Sequence, residues 1–175
     1  MYEGWTHEVE AWHEFYLLIG TAGLTLTGLL FVVVSFGARI VASGAATGVR
    51  AFVSPNAVYF CTTLVVAAVF LIPSVSPAAI GVFLCVGALA SLGYLLAYTK
   101  VHQRWRENKL PVVDWVWFVG LPTANYVLLL LAAVGVLIGA AWSMYGIAVA
   151  QIILLVIGIR NAWDLVIWMA EQEHM

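Results

Sequence analysis

The sequence has few charged residues. Lysine and arginine number 7 and aspartate and glutamate 9, so charged residues fill 9% of the 175 positions, against roughly 25% in an ordinary soluble domain. Hydrophobic residues fill 64%, and the mean hydropathy is +1.02. Because so few charges do not cover that much apolar surface in water, the composition excludes a soluble fold and indicates a protein embedded in lipid.

Residues that carry catalysis, metal binding or nucleic-acid binding are also scarce. Cys61 and Cys85 fall at different depths of two apolar segments, so we expect buried free thiols without a disulfide. The four histidines lie at segment ends or in a loop, away from where a membrane haem would need them. No catalytic triad shares one depth, and no phosphate loop or basic nucleic-acid footprint is present. We therefore expect a chain that is not an enzyme and has no cofactor, metal or nucleic-acid partner.

Five apolar segments are present instead, and each is long enough to cross a bilayer, which takes about 20 mainly apolar residues. They cover residues 12–36, 54–73, 78–99, 112–140 and 142–170. Short turns rich in proline or glycine separate the second segment from the third and the fourth from the fifth. The sequence predicts an all-α integral membrane bundle of five transmembrane helices in one domain.

The basic residues predict the orientation of this bundle. They cluster after the first segment and between the third and fourth, at Arg39, Arg50, Lys100, Arg104, Arg106 and Lys109. We expect these loops in the cytoplasm, the N-terminus outside and the C-terminus inside, with anionic lipid against the basic third loop. The segment 27–32, Thr-Gly-Leu-Leu-Phe-Val, resembles a stretch of uncharacterised bacterial membrane proteins. That resemblance implies a bacterial inner (plasma) membrane and no particular activity.

A polar stripe follows one face of the first segment. Steps of four and three residues keep one side of a helix in line. Because hydrocarbon offers polar groups no partner, we expect this face to point at protein or water. Two interpretations fit: helix packing through small residues, or the wall of a wet path with an acidic outer mouth. The wall or interface residues are Glu14, Thr21, Thr25, Gly28 and Ser35, and the mouth residues are Glu3, His7 and Glu10.

Arg160 and Asp164 are the two charged residues inside the last segment. A charge near the bilayer centre is costly, by about 2.5–3.5 kcal/mol on insertion scales. Residues four apart share a helix face, so we expect an ion pair that removes the net charge. The pair either fixes the fifth helix structurally or gates it by exchanging partners.

The fourth segment contains residues that disturb a helix or require a partner. Pro122 removes a backbone donor and predicts a kink. Asn125 lies near mid-membrane, so its side-chain amide is expected to find a hydrogen-bond partner. Gly135 and Gly139 form a GxxxG pair, which predicts close helix packing.

Three functions are consistent with these features. An odd number of spans without an internal repeat argues against a transporter built from two halves. The leading hypothesis is a homo-oligomeric channel for a small cation, with the first helix lining the path. The alternatives are a non-enzymatic accessory subunit of a larger membrane complex and a helical bundle that binds a lipid or small molecule.

Overall fold

The computed structural model describes residues 2–36, 46–101 and 115–173, and every regular element in these ranges is helical. We number the helices α1 to α6 in chain order. They are α1 (Tyr2–Ala11), α2 (His13–Phe36), α3 (Ala46–Phe70), α4 (Pro77–Val101), α5 (Leu121–Leu137) and α6 (Ser143–Glu173), with a π-helical turn at Val116–Gly120 before α5. The predicted all-helical fold is confirmed.

Four stretches of the described chain are long and apolar enough to cross a membrane. They are His13–Ser35, Pro77–Ala97, Val116–Leu137 and Ser143–Ile167. The apolar part of α3, Pro55–Phe70, is shorter. The second predicted segment therefore has a shorter apolar stretch than the other four. Its helix begins at Ala46, well before the predicted residue 54, and Pro55 lies inside that helix. A membrane-embedded bundle follows from these helices, whereas its orientation stays a prediction.

The helices are not arranged in simple chain order. The last helix, α6, lies between α3 and α5, while α2 packs mainly on α3 and α4 packs on α5. The consecutive helices α3 and α4 make little contact with each other. This order places α2 and α4 at the two sides of the bundle and leaves a groove between α3 and α4.

Contacts at one end of the bundle show that successive helices alternate in direction. The indole Nε1–H of Trp5 donates to the carbonyl of Val75 in the α3–α4 turn at 3.1 Å. The rings of Trp12 and Tyr145, near the start of α6, meet edge to face with centroids 5.0 Å apart. The start of the chain, the α3–α4 turn and the start of α6 therefore lie at the same end.

Local sequence signals explain the α3–α4 turn. Ser76 is the N-cap of α4, because its Oγ accepts the backbone N–H of Ala79 at 3.2 Å. Pro77 follows at the first helical position, where its missing N–H has no intrahelical partner to lose. The turn before it includes Ser74 with a φ of 60°, a left-handed conformation that is uncommon outside glycine.

The turn between α5 and α6 corrects one prediction. Gly139 was expected to pack against a neighbouring helix, but it is exposed, has a φ of +70° and ends α5. The N–H of Ala140 donates to the carbonyl of Gly135 at 2.8 Å and that of Gly139 to Val136 at 3.2 Å, which is the Schellman pattern. Only Gly135 contacts a neighbour closely, since a Cβ there would lie 3.0 Å from that of Ser143.

The disturbance predicted at Pro122 takes the form of the π-helical turn that precedes it. The N–H of Leu121 reaches back five residues to the carbonyl of Val116, and Pro122 follows at the start of α5. The Thr123 hydroxyl donates to the carbonyl of Val119 at 2.7 Å. The hydrogen bonds of the Thr123 hydroxyl and of the π-helical turn thus replace some of the backbone hydrogen bonds that proline interrupts.

Candidate functional site

The predicted stripe on the first span lies on the outside of the bundle. Glu14, Thr21, Thr25, Gly28 and Ser35 are all exposed. A Cβ built on Gly28 would meet nothing within 4 Å. Within a single chain this face therefore contacts no other helix closely, and protein covers it only through a further copy or another partner.

The opposite face of α2 is the one that packs. Tyr16 stacks on Phe70 of α3 with ring centroids 4.1 Å apart and the planes 2° from parallel. A Cβ on Gly20 would lie 3.0 Å from that of Ala67, and one on Gly23 would lie 3.1 Å from the carbonyl oxygen of Phe60 on α3. Glycines on this face let the two backbones approach closely, which leaves the polar stripe facing away.

The hydroxyl groups of the stripe are satisfied within α2 itself. Thr21 donates to the carbonyl of Leu17, Thr25 to that of Thr21, and Ser35 to that of Phe31, each at 2.8 Å. Such back-bonding to the residue four positions earlier removes the cost of placing a hydroxyl in hydrocarbon. The hydroxyls alone therefore do not force this face to be covered, and Glu14 is its one charged member.

The acidic mouth residues lie on α1. His7 and Glu10 are exposed, and the side chain of Glu3 lies outside the described residues. The stripe does not run along one unbroken helix, because α1 ends at Ala11 and α2 begins at His13. Arg39, one of the basic residues that predict the orientation, and the basic segment 102–114 also lie outside the described part of the chain. Across the ranges that are described, no three metal-ligating side chains come together.

Arg160 and Asp164 form an ion pair on α6. Nη1 of Arg160 donates to Oδ1 of Asp164, and the two side chains are 38% and 26% exposed. The Arg160 guanidinium carbon also lies 5.8 Å from the ring centroid of Trp117, within the range of a cation–π interaction. Trp117 belongs to the π-helical turn. The pair therefore links α6 to the turn that precedes α5.

The predicted partner of Asn125 is not found. Its side chain is 2% exposed, yet neither its amide oxygen nor its nitrogen makes a hydrogen bond. Three other side-chain amides are fully buried and share this condition: Asn56, Gln151 and Asn161. Because burying an unpaired amide is costly, these four groups are the least satisfied part of the described interior.

Sequence reasoning did not single out Asn56, which belongs to this buried group. Its position inside the apolar part of α3 was the available signal, since amides are rare in lipid-facing segments. The contact of Phe60 with Gly158 joins α3 to α6, and these helices are antiparallel. Asn56, four residues before Phe60, and Asn161, three after Gly158, therefore come to a similar level.

Comparison with models of known protein families, with curated proteins and with solved structures finds no match for this chain. Its function is therefore inferred from the arrangement of its own residues.

Proposed function

We propose that the protein is a homo-oligomeric membrane channel for a small cation, in which copies of α2 line the path. One observation carries the proposal: the polar face of α2 is exposed in the single chain and lies opposite the face that packs on α3. Copies arranged around an axis would turn Thr21, Thr25 and Ser35 toward that axis. Assembly would supply the conduit that a bundle of five short spans has little room to enclose.

The charge at one end of this face favours a cation. Glu10 and Glu14 are exposed on consecutive helices, with His7 one turn before Glu10. Repeated around an axis, these carboxylates would form a ring, and acidic rings raise the local concentration of cations at a pore mouth. The Arg160–Asp164 pair acts in this proposal as a brace or gate, because it joins α6 to Trp117 near the other end.

The proposal also assigns the lipid-facing surfaces of the protein. Large apolar side chains are exposed on every long helix, including Phe31 of α2, Val86 of α4 and Ile138 after α5, as expected of a bundle surrounded by acyl chains. The basic segment between α4 and α5 is proposed to lie against anionic lipid of a bacterial inner membrane.

Cation flux into liposomes tests the conduction step. Thr25→Leu would narrow the path and make its wall more apolar, and is expected to lower flux, while Val86→Leu on the exposed face of α4 would leave flux unchanged. Glu14→Gln would lower flux at low salt by removing one carboxylate per copy, and Glu8→Gln is the matched control, since Glu8 is exposed but outside the stripe. Flux that is equal in all four variants and in the unmodified protein would reject α2 as the conduit.

Purification separates the channel from an accessory subunit. A symmetric oligomer of this chain alone, measured by native mass spectrometry from nanodiscs, supports the proposal. Stable co-isolation with different membrane chains, without flux for the chain alone, would instead support the subunit, which would use the same α2 face for docking.

A further inference from the structure

The threonine hydroxyls on the polar stripe of α2 have a fixed direction. A hydroxyl group offers one proton to donate and two lone pairs that accept. Thr21 donates its proton to the carbonyl of Leu17, and Thr25 donates its proton to the carbonyl of Thr21, each at 2.8 Å. Because both protons are bound to the helix backbone, the lone pairs of the two oxygens are left for groups outside the helix. Both side chains are exposed, so this face presents acceptors.

The remaining wall residues beyond Thr25 add no hydrogen-bond donor to this face. Gly28 has no side chain, and its backbone N–H lies well inside α2, where the helix itself binds it. Ser35 donates its hydroxyl proton to the carbonyl of Phe31 at 2.8 Å. An anion in a pore is stabilised by donors or positive charge, whereas a cation is stabilised by oxygen lone pairs. The described wall residues therefore suit a cation, independently of any carboxylate.

The two threonines lie far from the charge at the mouth. Both are near the middle of the span His13–Ser35, about 6 Å apart along the helix axis, since each residue rises about 1.5 Å. By the same rise, Glu14 lies about 10 Å from Thr21 along the axis. The Debye length is about 8 Å at physiological salt and about 3 Å at 1 M. At high salt the hydroxyl oxygens therefore act on an ion without help from Glu14.

We propose that the hydroxyl oxygens of Thr21 and Thr25 form two successive rings that coordinate a partly dehydrated monovalent cation and exclude anions. This inference rests on the proposed function, because a ring forms only where copies of α2 face one axis. Oxygen rings replace water around an ion, and adjacent weak sites let ions leave as well as enter. Mg²⁺ loses its water reluctantly and Ca²⁺ sites use carboxylates, which these rings lack. Monovalent cations are therefore the substrate class.

Reversal potentials of the purified full chain in planar bilayers test the exclusion of anions. Under a KCl gradient at about 1 M salt, where the Debye length is about 3 Å, the mouth carboxylates are screened. The unmodified protein is expected to prefer K⁺ to Cl⁻ by about tenfold or more, since the wall offers acceptors alone. Glu14→Gln is expected to keep this preference at high salt, although it lowers flux at low salt.

Valine substitutions test the oxygen rings themselves. Valine has nearly the shape of threonine but no hydroxyl, so the double variant Thr21→Val with Thr25→Val is expected to lower K⁺ flux by about tenfold or more. Thr25→Ser keeps a hydroxyl that can make the same backbone bond and is expected to conduct normally. Thr27→Val is the matched control: Thr27 donates to the carbonyl of Gly23 at 2.8 Å, but it is only partly exposed and lies outside the stripe. Its loss is expected to leave flux and ion preference unchanged.

The outcomes separate this inference from the proposed function. If the chain carries no flux, or if Thr25→Leu conducts normally, α2 is not the conduit and both proposals fail. If Thr25→Leu lowers flux but the valine double variant conducts like the unmodified protein, α2 lines a path whose hydroxyls do not coordinate the ion, and this inference alone is overturned. Equal passage of K⁺ and Cl⁻ through Glu14→Gln at high salt also overturns it, and that measurement does not require the valine variant to fold.

Discussion

Phe60 of α3 occupies the space in front of Gly158 of α6, so closely that a Cβ on Gly158 would lie 2.8 Å from Cζ of the ring. Phe60 is itself 1% exposed, so its ring has little freedom to move aside. The approach of these two residues sets the separation of α3 and α6 in the centre of the bundle.

Gly158→Ala is therefore expected to lower the free energy of unfolding by about 1–3 kcal/mol, the usual cost of overpacking a dense core. Denaturation in mixed micelles measures the change. Phe60→Leu in the same chain should restore part of the loss by making room. Gly93→Ala is the control: its site is open, so the better helix propensity of alanine should leave stability unchanged or raise it by up to about 1 kcal/mol. Equal effects of the two glycine substitutions would contradict the packing described.

Gly139 ends α5 in a left-handed conformation, with a φ of +70°. Gly139→Ala is expected to cost about 1–2 kcal/mol, because a Cβ is strained there. Gly139→Asn should cost less, since asparagine tolerates this region better. The unfolding midpoint in detergent measures both variants. If alanine and asparagine were tolerated equally, the left-handed helix end would be in question.

Arg160 and Asp164 are expected to depend on each other. Their pair is partly exposed, so breaking it should cost less than the roughly 3–5 kcal/mol of a fully buried pair, about 1–3 kcal/mol. Arg160→Met leaves the carboxylate unpaired, whereas the double variant Arg160→Met with Asp164→Leu removes both charges. A double-mutant cycle of unfolding free energies should show the double variant losing less than the sum of the single losses. Strict additivity would mean that the pair contributes nothing.

Asn125 carries a buried amide without a hydrogen-bond partner. Replacing such a group by an apolar side chain of similar shape removes the cost of burying it, which is about 1–3 kcal/mol. Asn125→Leu is therefore expected to leave stability unchanged or raise it, while Asn125→Ala should lower it by opening a cavity. Chemical denaturation of both variants checks this. A large loss for leucine would show that the amide is paired in the functional state.

Much of the fold could be predicted from the sequence because the signals were local. Long apolar runs identified the helices, and proline and glycine marked both tight turns. The spacing of Arg160 and Asp164 predicted that they form an ion pair, since residues four apart on a helix are neighbours. Each of these inferences needs only the chain within one or two turns of the residue.

The features that were missed depend on which helices become neighbours. Gly139 and Gly135 have the spacing of a packing motif, but the helix ends between them, and only one packs. Cys61 was expected to be buried and is exposed, because α4 packs on α5 and leaves one side of α3 open. The unpartnered amides are buried by contacts that form only when α3, α5 and α6 pack together. Single-sequence periodicity contains no information on that arrangement.

Cross-linking at Thr25 tests most directly whether copies of this chain meet along the polar face of α2. The measurement uses Thr25→Cys in a background with Cys61→Ala and Cys85→Ala, oxidised in native membranes, with Val86→Cys in the same background as control. Thr25 is exposed on α2 and Val86 is 62% exposed on α4, so a thiol at either position is accessible. Assembly along α2 predicts a rapid disulfide-linked dimer for Thr25→Cys and little for Val86→Cys. Cross-linking that is equally slow at both positions would contradict it.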